Sequence, residues 1–171
     1  MCGACGTGRS AAPWESALLR SAVEYRMFAD ALSGELRPDG IRTRALPGRM
    51  LQLRSAGGSV RIVGTVNELI ALRGSGARTV GASPSRCIDL SDSLGTPEAR
   101  VALVVDIVAL APTLDAPVVI AVDGAAACYT VGSGGVEAGA PTTSMEVEAA
   151  RSLREALAPV QTRRPEPARA G

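Results

Sequence analysis

The sequence predicts an α+β chain made of two small units, each a helix, a short antiparallel meander and a second helix. Three observations carry that reading. Apolar residues recur at helical spacing near the start, at Leu18, Ala22, Tyr25, Ala29 and Leu32. Short stretches that read as hairpin strands flank paired glycines, at Gly57-Gly58 and again at Gly134-Gly135. Paired glycines, capping boxes and trailing arginines then recur in one order in both halves, about 77 to 78 positions apart. Two explanations of the recurrence stay open: a degenerate tandem repeat, or chance recurrence of hairpins and capped helices.

The elements follow in chain order. Residues 1–12 form an N-terminus that carries a cysteine pair, and the first unit occupies residues 13–73. Pro13 suits a first helical turn, where its missing N–H costs nothing, and Glu15 complements the helix dipole there. The helix is expected to run on until Gly34 and Pro38 stop it. Ile41 to Leu46 alternates as a strand, with Arg42 and Arg44 on one face. Met50 to Arg54 and Ser59 to Val63 read as a hairpin, and Thr65 with Glu68 is a capping box that opens a helix through Leu72.

Residues 74–95 read as a linker, Gly/Ser-rich from Gly74 to Pro84. The second unit, 96–158, opens with Thr96, Pro97 and Glu98 as a helix start, and Pro112 ends that helix after Leu110. Val118 to Val122 is an apolar run that reads as a strand buried on both faces. Cys128 to Val131 and Val136 to Ala138 pair as a hairpin. Thr143 with Glu146 forms a second capping box, for a helix continuing through Leu157. Residues 159–171, with Pro165, Pro167 and three arginines, are expected to be a disordered tail.

Composition narrows the chemistry. All 18 basic residues are arginine, and the chain of 171 residues has no histidine. An imidazole base, a lysine Schiff base and a phosphate-loop lysine are therefore excluded. Arginine holds anions but does not readily shuttle protons. The richness in Ala, Gly and Arg fits the coding bias of a high-GC genome, which weakens any functional reading of the missing lysine. With one Phe, one Trp and two Tyr, the core must be aliphatic.

Met1 to Arg9 leads into no apolar run, and Val101 to Val122 is broken by Asp106, Pro112, Asp115 and Pro117. A cytoplasmic protein without membrane contact is expected, with cysteines serving as thiols or metal ligands. Charge is unevenly spread. Residues 36–87 carry nine Arg against Asp39 and Glu68, and residues 88–150 carry nine acids against Arg100. The halves are expected to attract each other, or to face different partners.

The one motif with chemistry in it is Cys2-Gly3-Ala4-Cys5-Gly6. Two residues of spacing let both sulfurs reach one metal, and the following glycine relieves the turn, as in a zinc knuckle. A site at Cys2 and Cys5 needs two more thiolates, from Cys87 and Cys128 or from a second copy. A redox role fits less well, because the pair does not open a helix after a strand.

Those first residues, with the helix and the stretch Gly48 to Leu72, resemble small uncharacterised proteins of high-GC bacteria that begin Met-Cys-Gly-Ala-Cys-Gly. That resemblance covers about the first 73 residues and implies no activity. Asp115 to Ala127 is similar to the central strand of crotonase-fold enzymes. There the resemblance implies a following backbone oxyanion hole, and the matching positions here are Cys128, Tyr129 and Thr130.

Arg42, Arg44, Arg54 and Arg61 are placed by strand periodicity on one sheet face, opposite Leu51, Leu53, Val60 and Ile62. Such a face can meet an acidic partner, and the absence of aromatic stacking groups argues against nucleic acid. Asp89, Asp92, Asp115 and Asp123 are the only candidate carboxylate cluster for magnesium. With no catalytic constellation, the expected function is a small non-catalytic cytoplasmic protein that binds a protein partner or itself, with a structural zinc at Cys2 and Cys5. The alternatives are a degenerate crotonase-like or thiol-dependent enzyme, and a nucleic-acid binder using the arginine face.

Overall fold

The computed structural model describes residues 12–74, 84, 86–123, 127–139, 145 and 147–158. Helices α1 (Pro13–Leu18) and α2 (Ala22–Glu35) lead into strands β1 (Ile41–Leu46), β2 (Met50–Ser55) and β3 (Val60–Val63), then helix α3 (Val66–Arg73). The second half runs β4 (Arg86–Asp89), α4 (Pro97–Leu110), β5 (Val118–Ala121), β6 (Cys128–Gly132), β7 (Gly135–Gly139), β8 (Val147–Ala149) and α5 (Leu153–Leu157). The class is α+β, as the sequence predicts.

The expected first helix is two helices. Ser21 accepts the N–H of Glu24 at 3.1 Å, and the Glu24 carboxylate accepts the N–H of Ser21 at 2.8 Å. That reciprocal cap satisfies the free donors of a new helix start, so the chain restarts at Ala22. At the other predicted starts, Thr65 accepts from Glu68 and Thr96 from Ala99, both N–H groups three residues on.

The halves share the order helix, three antiparallel strands, helix, but they are not matching copies. The first sheet has the order β1-β2-β3 and is antiparallel throughout. The second has the order β7-β6-β5-β4-β8; β5, β6 and β7 form the expected meander, while β4 runs parallel to both β5 and β8. Joining β4 to a parallel neighbour requires a crossover, which α4 supplies. Two expectations are corrected here. Residues 86–89, placed in the linker, are an inner strand, and residues 147–149, placed in the closing helix, are an edge strand, which leaves α5 only five residues. The capping box at Thr143 and Glu146 lies outside the described residues, and Ser152 caps α5 instead, at 3.1 Å from the Glu155 N–H.

Packing joins the halves. Helix α2 packs against β1 and against α4. One apolar cluster contains Phe28, Leu32 and Leu51 together with Ile88, Ile107, Ile120 and Val131. Each such side chain contributes about 1.5–3 kcal/mol when fully buried. Strand β5 is buried at all four positions, as its unbroken apolar run predicts. Its second face carries Val119 and Ala121, flanked by Cys87 and Cys128, with Met145 packed against them. No described helix is long and apolar enough to cross a membrane.

Two of the sheet edges are plugged by side chains. On β1, the Thr43 N–H donates to Ser33 Oγ of α2 at 3.2 Å, and the Thr43 hydroxyl donates to the Ala29 carbonyl. On β7, the Asn67 side chain imitates a strand: its Nδ2 donates to the Val136 carbonyl and its Oδ1 accepts the Val136 N–H, each at 2.9 Å. Because Val136 is buried, Asn67→Ala is expected to leave both groups without partners and to cost about 1–3 kcal/mol. Chemical denaturation checks the loss, and faster hydrogen exchange at Val136 should accompany it. An unchanged midpoint would contradict the plug.

Candidate functional site

The arginine face is built by register. In an antiparallel sheet, residues directly opposite one another share a face. Arg42 pairs with Arg54, Arg44 with Gln52, Gln52 with Ile62 and Arg54 with Val60. Arg42, Arg44 and Arg54 therefore stand together on the outer face, joined by Met50, Val60 and Ile62. These three apolar side chains are 38%, 53% and 56% exposed. The inner face carries Leu51 and Val63, both buried in the core.

This corrects two sequence expectations. Arg61 pairs with Leu53, so it lies on the inner side of the sheet, and Val60 and Ile62 lie with the arginines instead of opposite them. The hairpin between β2 and β3 decides this. Ser55 donates its N–H to the Ser59 carbonyl at 3.0 Å, and the turn closes through the Gly58 N–H on the Ser55 carbonyl, with Gly58 at φ +84°. That loop pairs even positions of β2 with even positions of β3, so odd-numbered Arg61 falls on the other side.

All four arginines are exposed, and among the described residues none makes an ion pair. Among the described residues no ion pair docks this face onto the acidic half. Acids of the second half are engaged elsewhere: Glu148 by Arg86 and Asp106 by Arg154. The ion pairs that join α2 to the second half run with the opposite polarity. Arg100 of α4 meets Glu24, and Arg154 of α5 meets Glu35 at 2.9 Å.

A cleft of about 390 Å³ opens between the start of α2 and the β1–β2 turn, lined by Tyr25, Arg26, Leu46 and Arg49 among others. Arg49 sits in that turn at φ +58° and donates to Ser16 Oγ and to the Arg20 carbonyl, each at 3.3 Å. It fastens the turn to the junction of α1 and α2. Nearby, Glu15 is 2% exposed and accepts the Val66 N–H at 2.8 Å, which caps α3 from outside its own sequence. Burial pushes its carboxyl up to about 7, against the Val66 and Asn67 amides and the Arg49 charge. Burial, then the Glu15 charge, also raises the Tyr25 hydroxyl.

The remaining candidates are placed as follows. Cys2 and Cys5 lie outside the described residues. Cys87 and Cys128 are buried cysteines on β4 and β6 with β5 between them. Burial raises both, Cys87 also through Asp89 and Cys128 through Cys87 and Asp89, which leaves them weak nucleophiles. Among the described residues no group of three or more Cys, Asp or Glu could hold a metal ion. The structure thus does not bring Asp89, Asp92, Asp115 and Asp123 together as a magnesium site. Asp89 instead accepts the Ser91 hydroxyl at 2.6 Å and the Ser91 N–H at 2.9 Å, and these bonds hold its carboxyl below the usual range. The positions matching a crotonase-like oxyanion hole, Cys128 to Thr130, pair with β5 and β7 as an inner strand.

Set against known protein families, curated proteins and solved structures, the chain matches none.

Proposed function

We propose that this is a non-catalytic binding protein of the cytoplasm that holds an anionic protein partner on the outer face of β1-β2-β3. The observation that supports this reading is the set of Arg42, Arg44 and Arg54, exposed side by side without acidic partners among the described residues, beside exposed Met50, Val60 and Ile62. A face that only needs to stay wet does not require exposed aliphatic residues of that size, and their presence beside guanidinium groups fits recognition. Nucleic acid is disfavoured because no aromatic side chain stands on the face to stack a base.

The test uses fluorescein-labelled oligoglutamate as the probe, titrated by anisotropy across a salt series. Binding should weaken steeply as salt rises, since exposed charge pairs are screened over about 10 Å at 0.1 M. The Arg42→Ala, Arg44→Ala, Arg54→Ala triple variant should lose affinity about tenfold or more, from three weak pairs acting together. A triple variant that binds as the parent does would remove the proposal.

A further inference from the structure

Resting on that reading, we propose that the partner is an extended segment of alternating apolar and acidic residues that adds to β3 as a fourth, antiparallel strand. The argument starts from hydrogen-bond parity. Ser55 and Ser59 are a bonded pair across the hairpin, and bonded and non-bonded pairs alternate along an antiparallel ladder. Leu53 with Arg61 and Leu51 with Val63 are then the bonded pairs, so Val60 and Ile62 direct their N–H and C=O groups away from β2. Among the described residues nothing pairs with that edge. The treatment of β1 and β7 is different, because Ser33 and Asn67 occupy their outward groups. An unplugged edge on a protein that plugs others is a template for another strand.

Side-chain chemistry selects the occupant. Residues of an added strand lying opposite Val60 and Ile62 share the outer face with them, where both are more than half exposed, so apolar side chains fit there. Intervening residues lie beside Arg61 on the inner side, where a carboxylate fits. Arg54, directly across from Val60, can reach over it towards a further acidic group. A second copy of this chain is a poor occupant, because the register that sets the outward-facing Val60 of one copy opposite Ile62 of the other also sets Arg61 opposite Arg61.

The experiment uses three labelled peptides of about eight residues alternating valine and glutamate, a length typical of a strand. One is unmodified, one is N-methylated on its valines and one on its glutamates. In the proposed pairing the valines donate to β3 while the glutamate amides face solvent. Valine methylation should therefore weaken binding about tenfold or more, and glutamate methylation should leave it within about threefold. Ile62→Pro, which removes an edge donor, should weaken the unmodified peptide similarly while far-UV circular dichroism stays unchanged. Equal binding of all three peptides would overturn strand addition. If the triple arginine variant still lost binding in that case, the anionic-partner reading would survive it. Tighter binding of a single-stranded oligonucleotide than of any peptide would overturn the proposal outright.

Discussion

Arg100→Met should cost about 3–5 kcal/mol of folding stability, enough to bring a small domain close to unfolding. Arg100 and Glu24 are 8% and 4% exposed and bond each other between α4 and α2. Burial alone would raise the Glu24 carboxyl, but its bonds to Arg100 and to Ser21 outweigh that and hold it below its ordinary value. Methionine fills the volume but leaves a carboxylate buried without its counter-charge. The arginine is not perfectly served: its guanidinium reaches the Leu94 carbonyl at 3.3 Å, yet its Nε has no acceptor among the described residues. The cost therefore comes from stranding Glu24 more than from losing a strong pair. Adding Glu24→Gln to Arg100→Met should recover most of the loss, because no buried charge remains. Urea denaturation of the single and double variants checks both figures. A single variant within about 1 kcal/mol of the parent, or a double variant worse than the single, would contradict this account.

The second large effect is a pH dependence set by Glu15. Its carboxyl titrates near 7 in the folded protein, against 4.5 as the ordinary value. The folded state therefore holds its proton more tightly and binds more protons than the unfolded state between those values. Stability then falls as pH rises from about 4.5 to about 7, by about 3 kcal/mol from this group, and levels off above that. The groups around it are the Arg49 charge, which favours ionisation, and Glu68, which opposes it. Glu15→Gln keeps an oxygen to accept the Val66 N–H and removes the titration. The variant should show a flatter profile over that window and be at least as stable as the parent at pH 8. Denaturation midpoints measured at half-unit pH steps test this. A parent whose stability rises from pH 4.5 to 7, or a variant with the parent's slope, would refute it.

Much of this fold was legible because its signals are local. The unbroken run Val118 to Ala121, the Thr96-Pro97-Glu98 start and the two glycine turns each act within a few residues, and the elements stand where those signals put them. Ser21 with Glu24 is equally local, but the helical spacing that continues through it hides the break. Strand β4 had no such signal. Arg86 to Asp89 has only Cys87 and Ile88 to bury, and it becomes a strand because β5 and β8 pair with it across long sequence separations. The arginine face was half legible. Alternation places Arg42 with Arg44, but whether Arg61 joins them depends on the parity of the β2–β3 loop, which strand spacing alone does not carry. Glu15 as a cap for α3, 51 positions away in sequence, was visible only in three dimensions.

The most direct test of the anionic-partner face is an amide and arginine-side-chain NMR titration of the folded chain with oligoglutamate. The expected result is shifts confined to the backbone of β3, to Met50 and to the Nε–H groups of Arg42, Arg44, Arg54 and Arg61, fading as salt is raised. Shifts centred instead on Tyr25, Arg26 and Arg49 in the cleft, or none on the sheet face at low salt, would contradict it.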